Sequence, residues 1–148
     1  MLRAIAIVSL LLVAGCKRAP ENVTPEGATR ELLAALEGIT TDPARAKDAL
    51  TLLGPNAIKN LEARAQRASK VEGRTIAASD YLAAARILPH AKPAKYETTL
   101  NSSSDRAEVV VLDESGRELV RLPLVKQGEL WRVELPLPEL QPLHKRPT

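Results

Sequence analysis

The 148-residue chain carries 21 basic and 18 acidic residues, and its formal net charge of +3 is too small to indicate a nucleic-acid binder. It has two Tyr, one Trp and no Phe, so few aromatic faces are available for stacking single-stranded bases. The length suits one small domain, whose hydrophobic core must consist mainly of Leu, Val, Ile and Ala.

The N-terminal segment has the parts of a secretory signal. Arg3 supplies a positive charge, and the apolar run from Ala4 to Val13 is interrupted only by Ser9. This run is shorter than the ~20 apolar residues that a membrane-spanning helix needs. We therefore expect residues 1–15 to be a cleaved signal peptide.

The signal ends in Val13-Ala14-Gly15-Cys16, which resembles the lipobox of bacterial lipoproteins. The resemblance implies a diacylglyceryl group on the Cys16 thiol and cleavage between Gly15 and Cys16, which frees the Cys16 amine for a further acyl chain such as palmitate. Cys16 is the only cysteine, so it has no intramolecular disulfide partner. An ordinary cleaved signal with a chance cysteine and a buried N-terminal helix are the alternatives.

The residue after the cysteine is Lys17. In lipoproteins with this signal an Asp at that position marks retention in the inner membrane, so the resemblance implies an anchor in the outer membrane, facing the periplasm. Two or three acyl chains anchor a protein stably in a membrane. Residues 16–23 would then be a short lipidated tether.

Capping residues and the helical spacing of apolar side chains predict four helices in the next part of the chain. Thr24-Pro25, Asp42-Pro43, Pro55 and Ser79 are the predicted starts, and Gly38, Gly54, Gly73 and Pro89 are the predicted ends.

After Pro93 the pattern changes to short β-forming runs separated by polar turns. Since Pro123 cannot donate a ladder hydrogen bond, we expect the third strand to lie at a sheet edge or to bulge there. The predicted fold is α+β, with three to four N-terminal helices packed on a curved four-stranded antiparallel sheet in a meander. One domain would span 24–136, and 137–148 would be a proline-rich basic tail. The predicted strands are Lys95–Leu100, Ala107–Leu112, Leu119–Val125 and Leu130–Leu135.

The order of these elements resembles the nuclear-transport-factor-two-like superfamily of cystatin-like α+β cones, and in particular its small bacterial lipoproteins. The resemblance covers residues 23–136 and implies a cavity between helices and sheet. Enzymes of that superfamily, such as ketosteroid isomerase and scytalone dehydratase, place Asp, Tyr or His there, whereas the first helix here has none of these. The residues that carry the resemblance are Thr24-Pro25-Glu26, Asp42-Pro43, Leu52-Leu53-Gly54-Pro55 and the stretch from Leu124 to Val133.

No catalytic residue, cofactor or metal site is predicted. Asp80 at a helix start, Tyr81 at a core edge, and His90 and His144 in loop and tail do not assemble into a convincing acid–base, nucleophile or zinc site. The positions expected to line the cavity cannot carry a proton. They are Ala28, Leu32, Leu36, Val109, Val111, Trp131 and Val133.

The third helix has the one lopsided charge pattern, in which Lys59, Arg67, Lys70 and Arg74 lie close to one stripe. A solvated helix face explains the stripe most simply, and attraction to anionic headgroups or an acidic envelope protein is the alternative. We therefore expect a membrane-anchored, non-enzymatic binding module with no nucleic-acid partner. The alternative is a small-molecule-binding or isomerase/lyase-type protein that uses the cone cavity.

Overall fold

A computed structural model describes residues 20–85, 91–138 and 140, and it confirms the α+β class. Within these residues four helices precede a four-stranded antiparallel meander, and the helices pack on one face of the sheet. Cys16, His90 and His144 lie outside the described residues. The elements are α1 (Pro25–Ile39), α2 (Ala46–Thr51), α3 (Pro55–Glu72), α4 (Ala78–Ala85), β1 (Lys95–Leu100), β2 (Arg106–Leu112), β3 (Glu118–Gln127) and β4 (Leu130–Val133).

Two of the predicted helix starts, at Thr24 and Asp42, are formed by side-chain caps. The Thr24 hydroxyl accepts a hydrogen bond from the Gly27 N–H at 3.0 Å, and Pro25 occupies the first turn, where its missing N–H costs nothing. A Cβ at Gly27 would lie 1.8 Å from the Glu21 carbonyl oxygen, so only glycine fits there. Residues 21–23, the end of the predicted tether, therefore pack as a 3₁₀ turn against α1.

Four predicted helix boundaries differ from the structure, and the predicted end at Pro89 lies outside the described residues. α4 begins at Ala78, one residue before the predicted start at Ser79. α1 continues past Gly38 to Ile39, because the hydroxyls of Thr40 and Thr41 bond to the carbonyls of its last turn. The second helix opens as a 3₁₀ turn capped by Asp42 and is α-helical only over Ala46–Thr51. It ends before Gly54 because the next residues pair with β4.

The core lies between the helices and one face of the sheet. Every second residue of β2 is buried there, and Trp131 and Val133 of β4 lie on the same face. Trp131 is 5% exposed. One hydrophobic cluster extends from Ala28 in α1 to Leu135 after β4. The elements of residues 24–136 thus share a single core.

The expectation for Pro123 was wrong. β3 lies between β2 and β4, and the only register shift with β2 falls at Val111/Leu112, not at the proline. The Pro123 carbonyl accepts a hydrogen bond from the Glu134 N–H at 2.8 Å, directly beyond the last residue of β4. The nitrogen of Pro123 faces β4, on the same side as its carbonyl. The N–H that proline lacks would therefore point beyond the last residue of β4, where no strand hydrogen bond is lost.

Candidate functional site

The exposed side of α3 carries the predicted basic surface. Ala57, Leu61 and Ala65, spaced four residues apart, turn the opposite side of the helix into the protein. Lys59 and Lys70 are exposed, about 16 Å apart at the rise of an α-helix. We call Lys59, Arg67, Lys70 and Arg74 the α3 basic surface.

The four cations of this surface are not equivalent. Lys59 and Lys70 have no ion-pair partner within residues 20–85, 91–138 and 140, whereas Arg74 forms a salt bridge with Glu72 at 2.7 Å. Arg67 is half-buried, and Arg74 follows the helix end at Gly73. The structure therefore groups Lys59, Arg67 and Lys70 on one helix and places Arg74 just beyond it.

Two surface depressions flank α3. One, of about 480 Å³, lies at the C-terminal end of the helix and is lined by Lys70, Arg74 and Ile76 among others. The other, of about 440 Å³, lies between α3 and α4 and is lined in part by Arg64 and Tyr81. Both are shallow surface features, and basic side chains contribute to each.

The first turn of α3 is held by a distant carboxylate. Ala57 N–H donates to Glu134 Oε2 at 2.7 Å, and Asn56 N–H donates to Oε1 at 3.3 Å. A Cβ on Gly54 would lie 2.5 Å from the carboxyl carbon of Glu134, so glycine makes room for this contact. A negative charge at this end also favours the helix dipole. The contact fixes one end of the α3 basic surface to the end of β4.

The other end of α3 is fixed by Ser69. Its hydroxyl donates to the Ala65 carbonyl at 2.8 Å and accepts from the Ile76 N–H at 2.8 Å. This pair of bonds holds the connection to α4 beside Arg74. Neither Ser69 nor Glu134 was predicted from the sequence, since the Glu134 contact joins residues 77 positions apart and the Ser69–Ile76 bond depends on the course of the chain after the helix end.

The first part of the predicted tail also lies on this helix. Arg64 donates to the Pro138 carbonyl, and Leu140 lines the depression beside Val71 and Tyr81. The tail therefore begins along α3. Its predicted course over 141–148 lies outside the described residues.

The residues considered for chemistry have structural contacts. Asp80 is exposed in the first turn of α4 and accepts a hydrogen bond from the Ala77 N–H at 3.2 Å, as a helix-start carboxylate does. Tyr81 is half-buried and packs against the core.

Thr29 is the one fully buried polar side chain of α1, and its hydroxyl has no hydrogen-bond partner in the described part of the chain. All seven positions expected to line a cavity belong to the hydrophobic core cluster.

Displaced pKa values occur at the sheet. The Ser103 hydroxyl and the Asn101 amide lower the pKa of Asp105, and the Ser115 hydroxyl and the Arg117 N–H lower that of Asp113. Hydrogen bonds to Glu118 and Glu108 raise the pKa of Arg121 on the outer sheet face. These shifts come from turn and ion-pair contacts.

Within the described residues no group of three His, Cys, Asp or Glu side chains could hold a metal ion. None of the helices in that part of the chain has both the length and the apolar character needed to cross a membrane. None of the protein families, curated proteins or solved structures with which the chain was compared matches it. Both resemblances therefore stay predictions.

Proposed function

We propose that this protein is a lipid-anchored, non-enzymatic lipoprotein of the bacterial envelope that binds an acidic partner through the α3 basic surface. The anchor is Cys16 at the end of the predicted signal, which places the domain on the periplasmic side of the outer membrane. The observation that supports binding is the exposure of Lys59 and Lys70 without ion-pair partners among the described residues.

The setting of α3 suits such a role. Glu134 holds its first turn and Ser69 its last, so the cations project from a helix fixed at both ends. A partner would not have to order the helix on binding, which reduces the entropic cost. Exposed cations of this kind contribute mainly to association rate and partner choice.

The absence of catalysis is part of the proposal. An acid or base in an enzyme of the cone type must sit in a dry cavity that moves its pKa toward the working pH. Asp80 is exposed and bonded to the α4 backbone, and Tyr81 lies at the edge of the core. The core cluster of the helices and the sheet consists of aliphatic side chains and Trp131, and the buried polar side chain of α1 is that of Thr29, a neutral hydroxyl.

The alternative, small-molecule binding or isomerase/lyase chemistry in a cone cavity, has one observation in its favour. The depression beside Tyr81 has a volume of about 440 Å³, within the range of ligand sites. It lies outside the helix–sheet interface, between α3 and α4. A saturable gain in thermal stability with a ligand, lost in Tyr81→Phe or Arg64→Gln, would favour this alternative.

Charge reversal tests the proposal. Lys59→Glu/Lys70→Glu should reduce co-purification of the partner from cross-linked membranes about tenfold, because opposite charges become like charges. Lys47→Glu/Lys126→Glu is the matched control, since both are exposed lysines away from α3. Binding to liposomes with and without anionic lipid shows whether the acidic surface consists of lipid headgroups or belongs to an envelope protein. Equal loss of the partner in both double variants, or no loss in either, contradicts binding through the α3 basic surface.

Asp80→Ala tests the absence of catalysis. A folded and correctly localised Asp80→Ala protein that behaves like a deletion contradicts that part of the proposal.

A further inference from the structure

The two edges of the sheet differ. At the β4 edge, Leu53 forms a parallel bridge with Val133, Gly54 N–H donates to the Val133 carbonyl at 2.9 Å, and Val133 N–H donates to the Leu52 carbonyl at 3.0 Å. The chain between α2 and α3 thus covers that edge. At the β1 edge no described residue pairs with the strand. Only the Val133 end of the β4 edge is paired in this way, so β1 is the longer open edge of the described sheet.

The hydrogen-bond pattern shows which groups of β1 point outward. The Asn101 N–H donates to the Arg106 carbonyl at 3.0 Å, so Asn101 faces β2. Backbone groups alternate along a strand, and Thr99 and Glu97 therefore also face β2. The N–H and C=O groups of Tyr96, Thr98 and Leu100 point away from the sheet.

The side chains of this edge are also incompletely covered. Tyr96, Thr98 and Leu100 project to the helix side, opposite Val111, Val109 and Ala107. Tyr96 is half-buried, with the Arg30 guanidinium carbon 5.2 Å from its ring centre. Beyond it Thr98 is exposed, and Leu100 is 51% exposed. An open backbone edge thus lies beside an apolar strip that the helices leave uncovered.

We propose that β1 pairs antiparallel with β1 of a second copy about a two-fold axis at Thr98, which joins two sheets into one of eight strands. Two registers overlap equally well along the strand. One places Glu97 directly opposite Glu97 of the second copy, and like charges in that position are destabilising. The other places Thr98 opposite itself and Tyr96 opposite Leu100. Charge therefore selects the Thr98 register.

In this register no like charges lie directly opposite. Glu97 faces Thr99 and Lys95 faces Asn101 on the outer side, while about six backbone hydrogen bonds join the strands. A Thr pair and two Tyr–Leu pairs on the helix side are favourable cross-strand contacts. The apolar strip at Leu100 is covered by the Tyr96 of the second copy.

Strand pairing alone covers less than the ~800 Å² per partner of a standard interface, so dilute protein is expected to be mostly monomeric. Attachment to a membrane raises the effective concentration of each copy for another. The dimer therefore rests on the proposed anchor, and it should form in membranes and dissociate after extraction and dilution.

Cysteine cross-linking in isolated membranes tests the pairing. A hydrogen-bonded antiparallel pair places its Cα atoms about 5.5 Å apart, which suits a disulfide. Mature Thr98→Cys protein should form a covalent dimer on mild oxidation. In Thr99→Cys the two cysteines would be offset by two residues, beyond the ~7 Å limit, so at least about tenfold less dimer is expected. Circular dichroism of both reduced variants establishes that they fold.

The wild type separates this inference from the anchor proposal. A Cys16 whose sulfur carries the lipid has no thiol and cannot form a disulfide. A disulfide-linked dimer of the wild type would therefore contradict the anchor, and the strand pairing would still be tested by the variants. Equal cross-linking at positions 98 and 99, no cross-linking at 98 in a folded protein, or a mixed disulfide to another protein would overturn the β1 pairing. The last result would indicate an extended segment of a different chain at the same edge.

Amide exchange gives a readout without substitution. In membrane-bound wild type the amides of Tyr96, Thr98 and Leu100 should exchange at least about tenfold more slowly than in dilute detergent, since pairing protects the outward N–H groups. The inward amide of Thr99 should change much less. Equal rates for the outward amides in the two conditions would contradict the pairing.

Discussion

Glu134 caps α3 from 77 residues further along the chain, in place of a local Ser, Thr, Asp or Asn. Gly54 stands at the cap position and offers no side chain to the first turn of the helix. Its small size lets the Glu134 carboxylate approach the free N–H groups. One carboxylate thereby connects the end of the sheet to the helix that carries the basic surface.

Removing this cap should destabilise the protein. Glu134→Ala is expected to lower the free energy of unfolding by about 1–2 kcal/mol, the usual cost of a lost helix cap with its dipole interaction. Glu134→Gln should cost less, because one acceptor oxygen remains. Urea denaturation measures both, with the exposed Glu129→Ala as the control. A change for Glu134→Ala no larger than the control's would show that the contact does not stabilise α3.

The turn carboxylate of Asp113 predicts an acid-dependent stability. Bonds from the Ser115 hydroxyl and the Arg117 N–H hold its pKa below the usual 3.8, so the folded protein binds this proton less readily than the unfolded chain. The contribution is present above about pH 4 and is lost as the pH falls through the folded-state pKa. The melting temperature of Asp113→Asn should therefore fall less steeply than that of wild type below about pH 4. Glu114→Gln, its exposed neighbour in the turn, should keep the wild-type slope, and identical slopes in all three proteins would contradict this role.

At the scale of elements, local signals predicted the helices and strands well. Thr24 and Asp42 cap their helices as expected, Gly73 ends α3 with a φ of 68°, and β1 spans the predicted residues. Two of the errors, at the end of the second helix and at Pro123, arose where distant residues meet. The second helix stops early because Leu53 pairs with Val133, and no pattern within either segment reveals that bridge.

Pro123 shows the same limit. The rule that proline avoids central ladders is sound, but its use requires knowing where the neighbouring strand ends. Here β4 ends at Val133, so a central strand tolerates the proline. The basic surface was predictable because its residues belong to one helix. The supports of that surface were not, because the Glu134 contact joins residues 77 positions apart and the Ser69 bond to Ile76 depends on the course of the chain after α3.

The orientation of β4 can be tested through its aromatic residue. Trp131 is 5% exposed on the helix-facing side, so Trp131→Ala should lower the free energy of unfolding by about 3–5 kcal/mol, as for other large aromatic side chains removed from a core. Arg132→Ala, the next residue on the opposite face, should cost much less. Chemical denaturation of the two variants compares them. Near-wild-type stability of Trp131→Ala would mean that the strand has a different register.

For the whole molecule, the proposed membrane anchor is combined with one domain that has a mainly aliphatic core and two proposed contact surfaces. The α3 basic surface belongs to the helical layer, and the open β1 edge belongs to the sheet. A partner at α3 and a second copy at β1 would contact different elements. Reversing charges at Lys59 and Lys70 should thus leave Thr98 cross-linking unchanged.

Lipid on Cys16 is proposed to hold this domain at the envelope, and metabolic labelling with palmitate tests the proposal directly. Wild-type protein should incorporate the label and partition into detergent, because two or three acyl chains anchor a protein stably in a membrane. Cys16→Ser should lose both properties while the control Ser9→Ala keeps them. The lipid anchor is contradicted if Cys16→Ser still incorporates palmitate. It is also contradicted if wild-type protein incorporates no palmitate in the same experiment and still remains with the membrane.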